Sequence, residues 1–241
     1  MTGPAQRDSL LSANDNRRMF DRIARRYDLM NHLLSLGLDR RWRKKAVAML
    51  APREGGRYLD IGCGTGDVAM EVLRQGPGSH VIGIDPAAEM LAIAERKAER
   101  AEAGEGVTFQ AGDATELALA DGTFDGVISA FCVRNITHRA RAFEQMRRVL
   151  VPGGMAVILE LTVPGSRFVR FGHGLFLRCF VPLAGRLIAG GGTAYRYLAD
   201  SISDFTEPAE IGRMMDDAGF IETRQIALQG GVVTIFVGRS P

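Results

Sequence analysis

The pattern of apolar and polar positions predicts two helical pieces at the start of the chain, ahead of any strand. Apolar residues recur every three or four positions from Phe20 to Leu34, which is the spacing of one face of a helix or of two short helices. Gly37 provides a stop, and a second helical piece carries Trp42 and ends before Pro52. Residues 1–15 are small and polar, so we expect a flexible tail there.

After residue 52 the pattern changes to short apolar runs separated by helical segments. The runs lie in "RYLDI", "HVIGID", "VTFQAGDA", "FDGVISAF" and "GGMAVILEL". Strands that alternate with helices of about ten to fifteen residues predict parallel β-α-β units in an open, doubly wound sheet. A helix in "TEPAEIGRMMDDAGF" and a hairpin of "TRQIAL" and "GVVTIFVG" complete the pattern. We therefore predict a Rossmann-like α/β fold with a seven-stranded, mostly parallel sheet and helices on both faces.

The length predicts a single domain over residues 16–241, because 241 residues suffice for one well-buried α/β unit. Two helical additions are expected within it. Residues 16–52 precede the first strand, and residues 164–207 interrupt the alternation with apolar positions among which arginines are scattered. We expect the second addition to be a helical insertion before the last strands.

Composition and charge exclude several classes of function. A net charge of +2 and a pI near 8.6 lack the clustered positive charge that nucleic-acid binding needs. Three widely separated cysteines argue against a zinc site or a disulfide framework, so we expect no metal centre and a reducing, cytoplasmic location. No apolar run reaches the roughly 18 residues of a membrane span. The only lysines are Lys44, Lys45 and Lys97, which we interpret as a bias of composition.

A glycine-rich turn follows the first predicted strand, in "LDIGCGTGD". Gly62, Gly64 and Gly66 permit backbone torsions and close ligand contacts that a Cβ would forbid, although a tight turn that only packs small residues is the alternative. A dinucleotide loop needs a third glycine where Asp67 stands here, because its pyrophosphate lies on a helix N-terminus. The carboxylates of Asp60 and Asp67 repel phosphate and suit an ammonium group. The turn therefore favours S-adenosylmethionine over a nicotinamide dinucleotide.

Acidic residues follow the next two strands as well. Asp85 ends the second strand, where an acid in such folds accepts hydrogen bonds from both ribose hydroxyls; it can also cap the helix that starts at Pro86. Asp113 and Ala114 follow the third strand, where a short acid can accept from the exocyclic amine of adenine. Acids at three strand ends around one glycine turn indicate a nucleoside-binding edge.

Several segments resemble known methyltransferases. "YLDIGCGTGD", "IGID", "GDATELALADGTFDGV" and "RRVLVPGG" resemble the class I S-adenosylmethionine-dependent methyltransferases. "YDLMNHLLSLGLDRRW", "FCVRNI", "VPGGMAVILEL", "AYRYLADSI" and "MMDDAGF" are similar to the quinone C-methyltransferases, which methylate demethylmenaquinol or the polyprenyl benzoquinol precursor of ubiquinone. The similarity runs in order from residue 20 to residue 238, and it implies S-adenosylmethionine as cofactor and a lipophilic quinol as substrate.

The resemblance also implies site residues. The family's cofactor contacts fall on Thr65, Asp85, Asp113 and Ala114, and a family serine is Ala130 here, with Ser129 adjacent. Two further departures are Asp39, where the family has histidine, and Val151, where it has a basic residue. These departures keep open a benzoquinol or a soluble small molecule as substrate, and a non-catalytic cofactor-binding role in a quinone-synthesis complex. A nicotinamide-dependent oxidoreductase is the fourth alternative.

The resemblance places catalysis on the "FCVRNI" segment and the opening segment. In the family the equivalents of Arg134 and Asn135 activate the phenol, the arginine by stabilising phenolate charge or a bound hydroxide and the asparagine by orienting it. A salt bridge that caps the next helix is the structural alternative for Arg134. Tyr27 and Asp28 are the other catalytic candidates, on residues 16–52, which we expect to form a helical lid over cofactor and ring.

The arginine-dotted insertion allows two interpretations. Its aromatic and arginine residues over 168–190 suit an interfacial cover that admits an isoprenoid tail while arginines meet lipid phosphates, at the inner face of the membrane. An ordinary helix that packs over the substrate pocket, or that forms a homodimer face, fits equally well.

Overall fold

The computed structural model describes residues 13–167, 174 and 208–241 of the chain. The helices in this part are α1 (Ala13–Leu34), α2 (Leu38–Leu50), α3 (Asp67–Gln75), α4 (Ala88–Arg100), α5 (Arg139–Val149) and α6 (Pro208–Asp217). The strands are β1 (Arg57–Ile61), β2 (His80–Asp85), β3 (Val107–Ala111), β4 (Phe124–Ala130), β5 (Leu150–Leu161), β6 (Ile221–Leu228) and β7 (Val233–Arg239). The tail to residue 12 and the insertion from residue 168, with its aromatic and arginine residues, lie outside the described residues and stay predictions.

The seven strands form one sheet in the order β3-β2-β1-β4-β5-β7-β6. Strands β1 to β5 pair in parallel, and β7 pairs antiparallel with both β5 and β6. The predicted mostly parallel sheet and its terminal hairpin are confirmed. Because the chain returns to β4 on the other side of β1, the strand order reverses at β1, and ligands in open α/β sheets bind at the carboxyl ends of strands at such a reversal.

Two apolar cores cover the two faces of the sheet. Residues of α2 and α3, such as Val47 and Val72, pack on one face with Tyr58 of β1. Residues of α5 and α6, such as Phe143 and Met215, pack on the other face. Side chains alternate along β1 because the backbone is pleated, so Leu59 and Ile61 join the α5 core while Tyr58 joins the α2 core. The prediction of helices on both faces is confirmed.

The N-terminal helices meet at a tight corner. The chain turns through Leu36 and Gly37, whose φ angles are 52° and 75°. Trp42 then anchors α2, because its ring packs edge-on against Phe131 at 6.3 Å and its indole N–H donates to Gln229 at 2.6 Å. The periodic segment before the corner is one continuous helix, α1, which packs against α4 and α2.

Several element boundaries differ from the prediction by a few residues, and two of these differences concern where an element begins after a proline or before a pair of glycines. Helix α4 begins at Ala88 rather than at Pro86, and β5 begins at Leu150, before the glycines that the pattern assigned to its start. Leu150 pairs with Phe124, and the register then shifts so that Met155 pairs with Gly126. The residues between Leu150 and Met155 bulge out of the ladder, which lets Pro152 lie within the strand range.

Candidate active site

A cavity of about 400 Å³ opens at the carboxyl ends of β1, β2 and β4, with α1 along one side. This volume lies in the range of small-molecule and cofactor sites. The cavity brings together most of the predicted cofactor residues: Gly62, Gly64, Asp85, Asp113, Ala114 and Ala130. Two predicted catalytic residues, Tyr27 and Asn135, line it as well. Asp60, Thr65, Gly66, Asp28 and Arg134 are not among its lining residues.

The glycine turn requires glycine at position 62 for two reasons. Gly62 has a φ of 67°, and a Cβ there would lie 2.2 Å from Sγ of Cys132. The backbone N–H groups of Gly62 and Cys63 both donate to the carbonyl of Ile84, at 2.8 and 3.0 Å, which fixes the turn to the end of β2. Gly66 has a different purpose, because a Cβ there would meet the Phe109 ring at 2.9 Å. Gly66 thus permits close packing rather than ligand approach.

Asp85 organises the cavity wall. Its Oδ2 accepts from the Gly64 N–H and its Oδ1 from the Ala87 N–H, both at 2.9 Å. Burial raises the pKa of Asp85, and the two backbone hydrogen bonds oppose that rise. The side chain thus holds the turn and the residue that precedes α4 while it faces the cavity. It is not the N-cap of α4, which is Ala87, and its contact with ribose stays a prediction. Each carboxylate oxygen keeps a further lone pair for a ribose hydroxyl.

Asp113 and the adjacent residues form the next part of the wall. One carboxylate oxygen of Asp113 accepts from both the N–H and the hydroxyl of Thr115, each at 2.7 Å. The turn places Ala114 against the cavity. Ala130 ends β4 there with a methyl group, and Ser129 cannot replace the family serine, because its buried hydroxyl donates to the Ile61 carbonyl at 2.8 Å.

Asp60 lies beneath the turn instead of in the cavity. The pleat of β1 directs it towards α3, where its Oδ2 accepts from the Ala69 N–H at 3.1 Å, and it is fully buried. Its Oδ1 has no hydrogen-bond partner within the described part of the chain. Burial raises the pKa of Asp60 to about 7, and the nearby charge of Asp85 adds to the rise.

Stability is expected to fall with rising pH because of Asp60. From its ordinary pKa of 3.8 up to about 7, the folded protein holds a proton that the unfolded chain releases. The protonated Asp60 carboxyl therefore makes its full contribution to the free energy of unfolding below about pH 4. This contribution is lost by about pH 7, and the total loss is roughly 4 kcal/mol. Urea denaturation of the apo protein at about pH 5 and about pH 8 should show roughly 3 kcal/mol of this loss, because the first part is already lost at pH 5. Asp60→Asn should remove the difference. Exposed Asp217 gives the control Asp217→Asn; equal slopes in all three proteins would contradict the assignment.

Thr65 and Asp28 hold α1 against the glycine turn. The Thr65 hydroxyl donates to Oδ1 of Asp28 at 2.6 Å and accepts from Nζ of Lys97 at 3.0 Å. Lys97 also forms salt bridges with Asp28 and Asp67, both at 2.6 Å. These contacts join α1, the turn and α4 beside the cavity.

The same contacts weaken one sequence-based reason for preferring S-adenosylmethionine to a dinucleotide. The charge of Asp67 is compensated by Lys97 at 2.6 Å, with Arg43 at 4.0 Å, so Asp67 does not by itself repel a diphosphate. Lys97, to which the sequence interpretation assigned no function, is thus the central cation of this cluster.

Asp39, the departure from the family pattern in the opening segment, stabilises the corner between α1 and α2. It is 2% exposed, and it accepts hydrogen bonds from His32 and Ser35, each at 2.8 Å, and from Arg43. Burial raises the pKa of Asp39, but the charge of Arg43 and the hydrogen bonds outweigh burial and bring it below its usual value. Asp39 is not among the residues that line the cavity, and its contacts attach α2 to the end of α1.

Arg134 forms a buried ion pair with Glu160 of β5, a partner that the sequence interpretation, which weighed a salt bridge capping the next helix, did not identify. Its Nη1 donates to Oε1 of Glu160 and to the carbonyl of Phe131, both at 2.6 Å, and its backbone N–H donates to Oε2 of Glu160 at 3.1 Å. Arg134 is 4% exposed and Glu160 is fully buried. Burial lowers the pKa of Arg134, but the charge of Glu160 outweighs it, so the pKa lies above its usual value. Arg134 is therefore a fixed cation and not a base.

Tyr27 and Asn135 are the catalytic candidates that reach the cavity. Burial raises the pKa of Tyr27, while the charge of Arg134 and a hydrogen bond with Asn31 oppose the rise. Tyr27 is therefore a neutral phenol at physiological pH that lies within the field of Arg134. Asn16 at the start of α1 donates to the carbonyl of Asn135 at 3.3 Å, which connects α1 to the Arg134 turn.

Comparisons with known proteins show the family to which the chain is similar. The matching family model is described as the ubiE/COQ5 methyltransferase family and covers residues 10–240. The demethylmenaquinone methyltransferase of Thermus thermophilus is 42% identical over 223 residues, which are 92% of this chain and 100% of that protein. The ubiquinone/menaquinone biosynthesis C-methyltransferase UbiE of Geotalea uraniireducens is 39% identical over 222 residues, which are 91% of this chain and 94% of that protein.

A solved structure shows the same fold. The SAM dependent methyltransferase from Aquifex aeolicus superposes with a TM-score of 0.61 at 18% identity, over 83% of this chain and 89% of that chain. The sheet order, the glycine turn after β1 and the acid that ends β2 define an S-adenosylmethionine-dependent methyltransferase, as the sequence predicts. Since the family model and both relatives span nearly the whole chain, the chain belongs to the ubiE/COQ5 methyltransferase family.

The cavity fits this cofactor on its own geometry. Asp85 offers two oxygens with spare lone pairs, and small residues at Gly64, Gly112 and Ala114 leave space beside it. Within the described residues, no group of three or more His, Cys, Asp and Glu side chains is arranged to hold a metal ion. In the same part of the chain, no helix is long and apolar enough to cross a membrane.

Proposed function

We propose that the enzyme transfers a methyl group to a ring carbon of a prenylated hydroquinone, with demethylmenaquinol as the favoured substrate. The observation that carries the proposal is the 42% identity, over its full length, with a relative named demethylmenaquinone methyltransferase. The site supports it, because the Arg134 cation lies behind a cavity wall that contains Tyr27 and Asn135. A cytoplasmic location with peripheral contact at the inner face of the membrane belongs to the same proposal.

The substrate has to be the hydroquinone because carbon methylation needs an electron-rich ring. S-adenosylmethionine, when bound, supplies a methyl group on a positively charged sulfur. Loss of a phenol proton to water raises the electron density at the ortho carbon. That carbon attacks the methyl group, so that the C–C bond would form as the methyl–sulfur bond breaks and S-adenosylhomocysteine leaves. The ring carbon then loses its proton to water, which restores the aromatic ring. The residues of the chain orient the ring, stabilise phenolate charge and exclude solvent.

Each catalytic candidate has a distinct part in this proposal. Arg134 supplies a fixed positive charge that stabilises the phenolate, and Glu160 holds that charge in place. Tyr27, kept neutral by burial, can donate a hydrogen bond to a ring oxygen, and the Asn135 side chain can orient the second oxygen. Asp28 acts through α1, because its contacts with Thr65 and Lys97 hold the helix that carries Tyr27.

A polyprenyl benzoquinol is the second candidate, because relatives such as UbiE of Geotalea uraniireducens are named for both ubiquinone and menaquinone biosynthesis. Soluble phenols and a non-catalytic role in a quinone-synthesis complex complete the alternatives. Transfer of labelled methyl to demethylmenaquinol, to a demethylated benzoquinol and to a soluble naphthohydroquinone, each under reducing conditions, distinguishes them. We expect the highest kcat/KM with demethylmenaquinol. A higher kcat/KM with the benzoquinol or with the soluble compound would make that compound the proposed substrate instead of demethylmenaquinol. Absence of transfer to all three compounds would support the non-catalytic role.

A further inference from the structure

The outward-facing side of α1 carries cations along its first half and leucines at its end. Arg18, Arg22, Arg25 and Arg26 are exposed and recur at helical spacing. The same stripe continues with Leu29 and Leu33, and Leu36 follows at the corner; these leucines are 59%, 38% and 77% exposed. Exposed large apolar side chains that form one patch mark an interaction surface.

Helix α2, which follows the corner at Leu36 and Gly37, adds further exposed cations: Arg40, Arg41, Lys44 and Lys45. Residues 17–48 contain ten Arg and Lys but only three Asp, and none of these Asp residues is exposed. Since the whole chain has a net charge of only +2, the remainder of the molecule is net negative. The near-neutral net charge of the whole chain therefore conceals a strongly basic segment over residues 17–48.

We propose that this side of α1 and α2 docks on an anionic lipid surface. Leu29, Leu33 and Leu36 enter the boundary between headgroups and acyl chains, while the flanking arginines and lysines bind lipid phosphates. An apolar strip bordered by cations is the arrangement by which amphipathic helices bind membrane interfaces, through buried apolar area together with attraction to anionic lipids.

The orientation suits the proposed function, on which this step rests. The inner side of α1 carries Phe20 and Tyr27, which line the cavity, so docking through the outer side brings the cavity close to the bilayer. A prenylated hydroquinone could then keep its tail in lipid while its ring enters the site. Docking of a second copy of the chain on the same surface is disfavoured, because two such basic surfaces would repel each other.

The test is co-sedimentation with vesicles of phosphatidylcholine alone or with added phosphatidylglycerol. The full chain should bind the anionic vesicles and not the neutral ones, with binding weakened by salt. The variant Leu29→Ser/Leu33→Ser/Leu36→Ser and the variant Arg22→Gln/Arg25→Gln/Arg41→Gln should each lose at least about tenfold in affinity. The control Arg141→Gln/Arg213→Gln/Arg224→Gln removes as many exposed charges from α5, α6 and β6, and should bind as the wild type does.

Three results would overturn the proposal. The first is absence of binding to anionic vesicles, and the second is equal binding by the wild type and all variants. The third is a dimer, seen by light scattering, that the leucine replacements convert to a monomer while vesicle binding stays unchanged. Failure of the proposed function can be distinguished from failure of the docking proposal. If no hydroquinone is methylated while the vesicle results hold, the docking surface stands and the substrate is wrong. With a short-tailed, detergent-solubilised hydroquinone, the leucine variant should keep the wild-type kcat, which excludes unfolding as the cause of weak binding.

Discussion

Arg134→Met is expected to lose at least about 100-fold in kcat, because the phenolate then lacks its fixed positive charge. It should also lower the free energy of unfolding by about 3–5 kcal/mol, because Glu160 is left as a buried, unpaired charge. Methyl-transfer kinetics and urea denaturation measure the two effects.

A double variant separates these effects. Arg134→Met/Glu160→Gln removes both charges and should recover most of the lost stability. Its kcat should stay as low as that of the single variant, while calorimetry should give a wild-type affinity for S-adenosylmethionine. Recovery of turnover together with stability would mean that Arg134 only supports the fold, which was the structural alternative from the sequence.

Asp85→Ala is expected to weaken S-adenosylmethionine binding by at least about 100-fold. The carboxylate offers acceptors for two ribose hydroxyls, and hydrogen bonds to a charged group contribute about 1.5–3 kcal/mol each. The variant also releases the N–H groups of Gly64 and Ala87, which loosens the glycine turn.

Asp85→Asn is the matched control, because it keeps the size of the side chain and one acceptor oxygen. Calorimetric titration should place its affinity between those of the wild type and Asp85→Ala, and circular dichroism should show all three proteins folded. Unchanged affinity in Asp85→Ala would limit the role of Asp85 to its backbone contacts.

The sequence predicts the sheet and the cavity edge because both follow from local patterns. Alternating strands and helices determine a parallel sheet, and acids directly after strands must lie at its carboxyl edge. Gly62, Gly64, Asp85, Asp113 and Ala130 accordingly meet around one cavity. The cofactor contacts assigned to them stay predictions that the Asp85 variants begin to test.

The partners of the charged residues could not be predicted, because they depend on contacts between distant segments. Arg134, in the turn after β4, pairs with Glu160 of β5, and Asp28 of α1 pairs with Lys97 of α4. A glutamate inside the apolar run "AVILEL" is the one sequence feature that indicates a buried partner. The pleat of β1 also explains Asp60: as a neighbour in sequence of Leu59, it faces the opposite side of the sheet and lies under α3.

The most direct test of the proposed chemistry is the position of the transferred methyl group. Demethylmenaquinol, kept reduced by dithionite, is incubated with the enzyme and S-adenosylmethionine carrying a ¹³C methyl group, and the product is analysed by NMR. Carbon methylation of the hydroquinone predicts a label on the vacant ring carbon, formed from the reduced substrate and not from the oxidised quinone. Label on a phenolic oxygen, equal transfer to the quinone, or no transfer by a protein that binds the cofactor would contradict it.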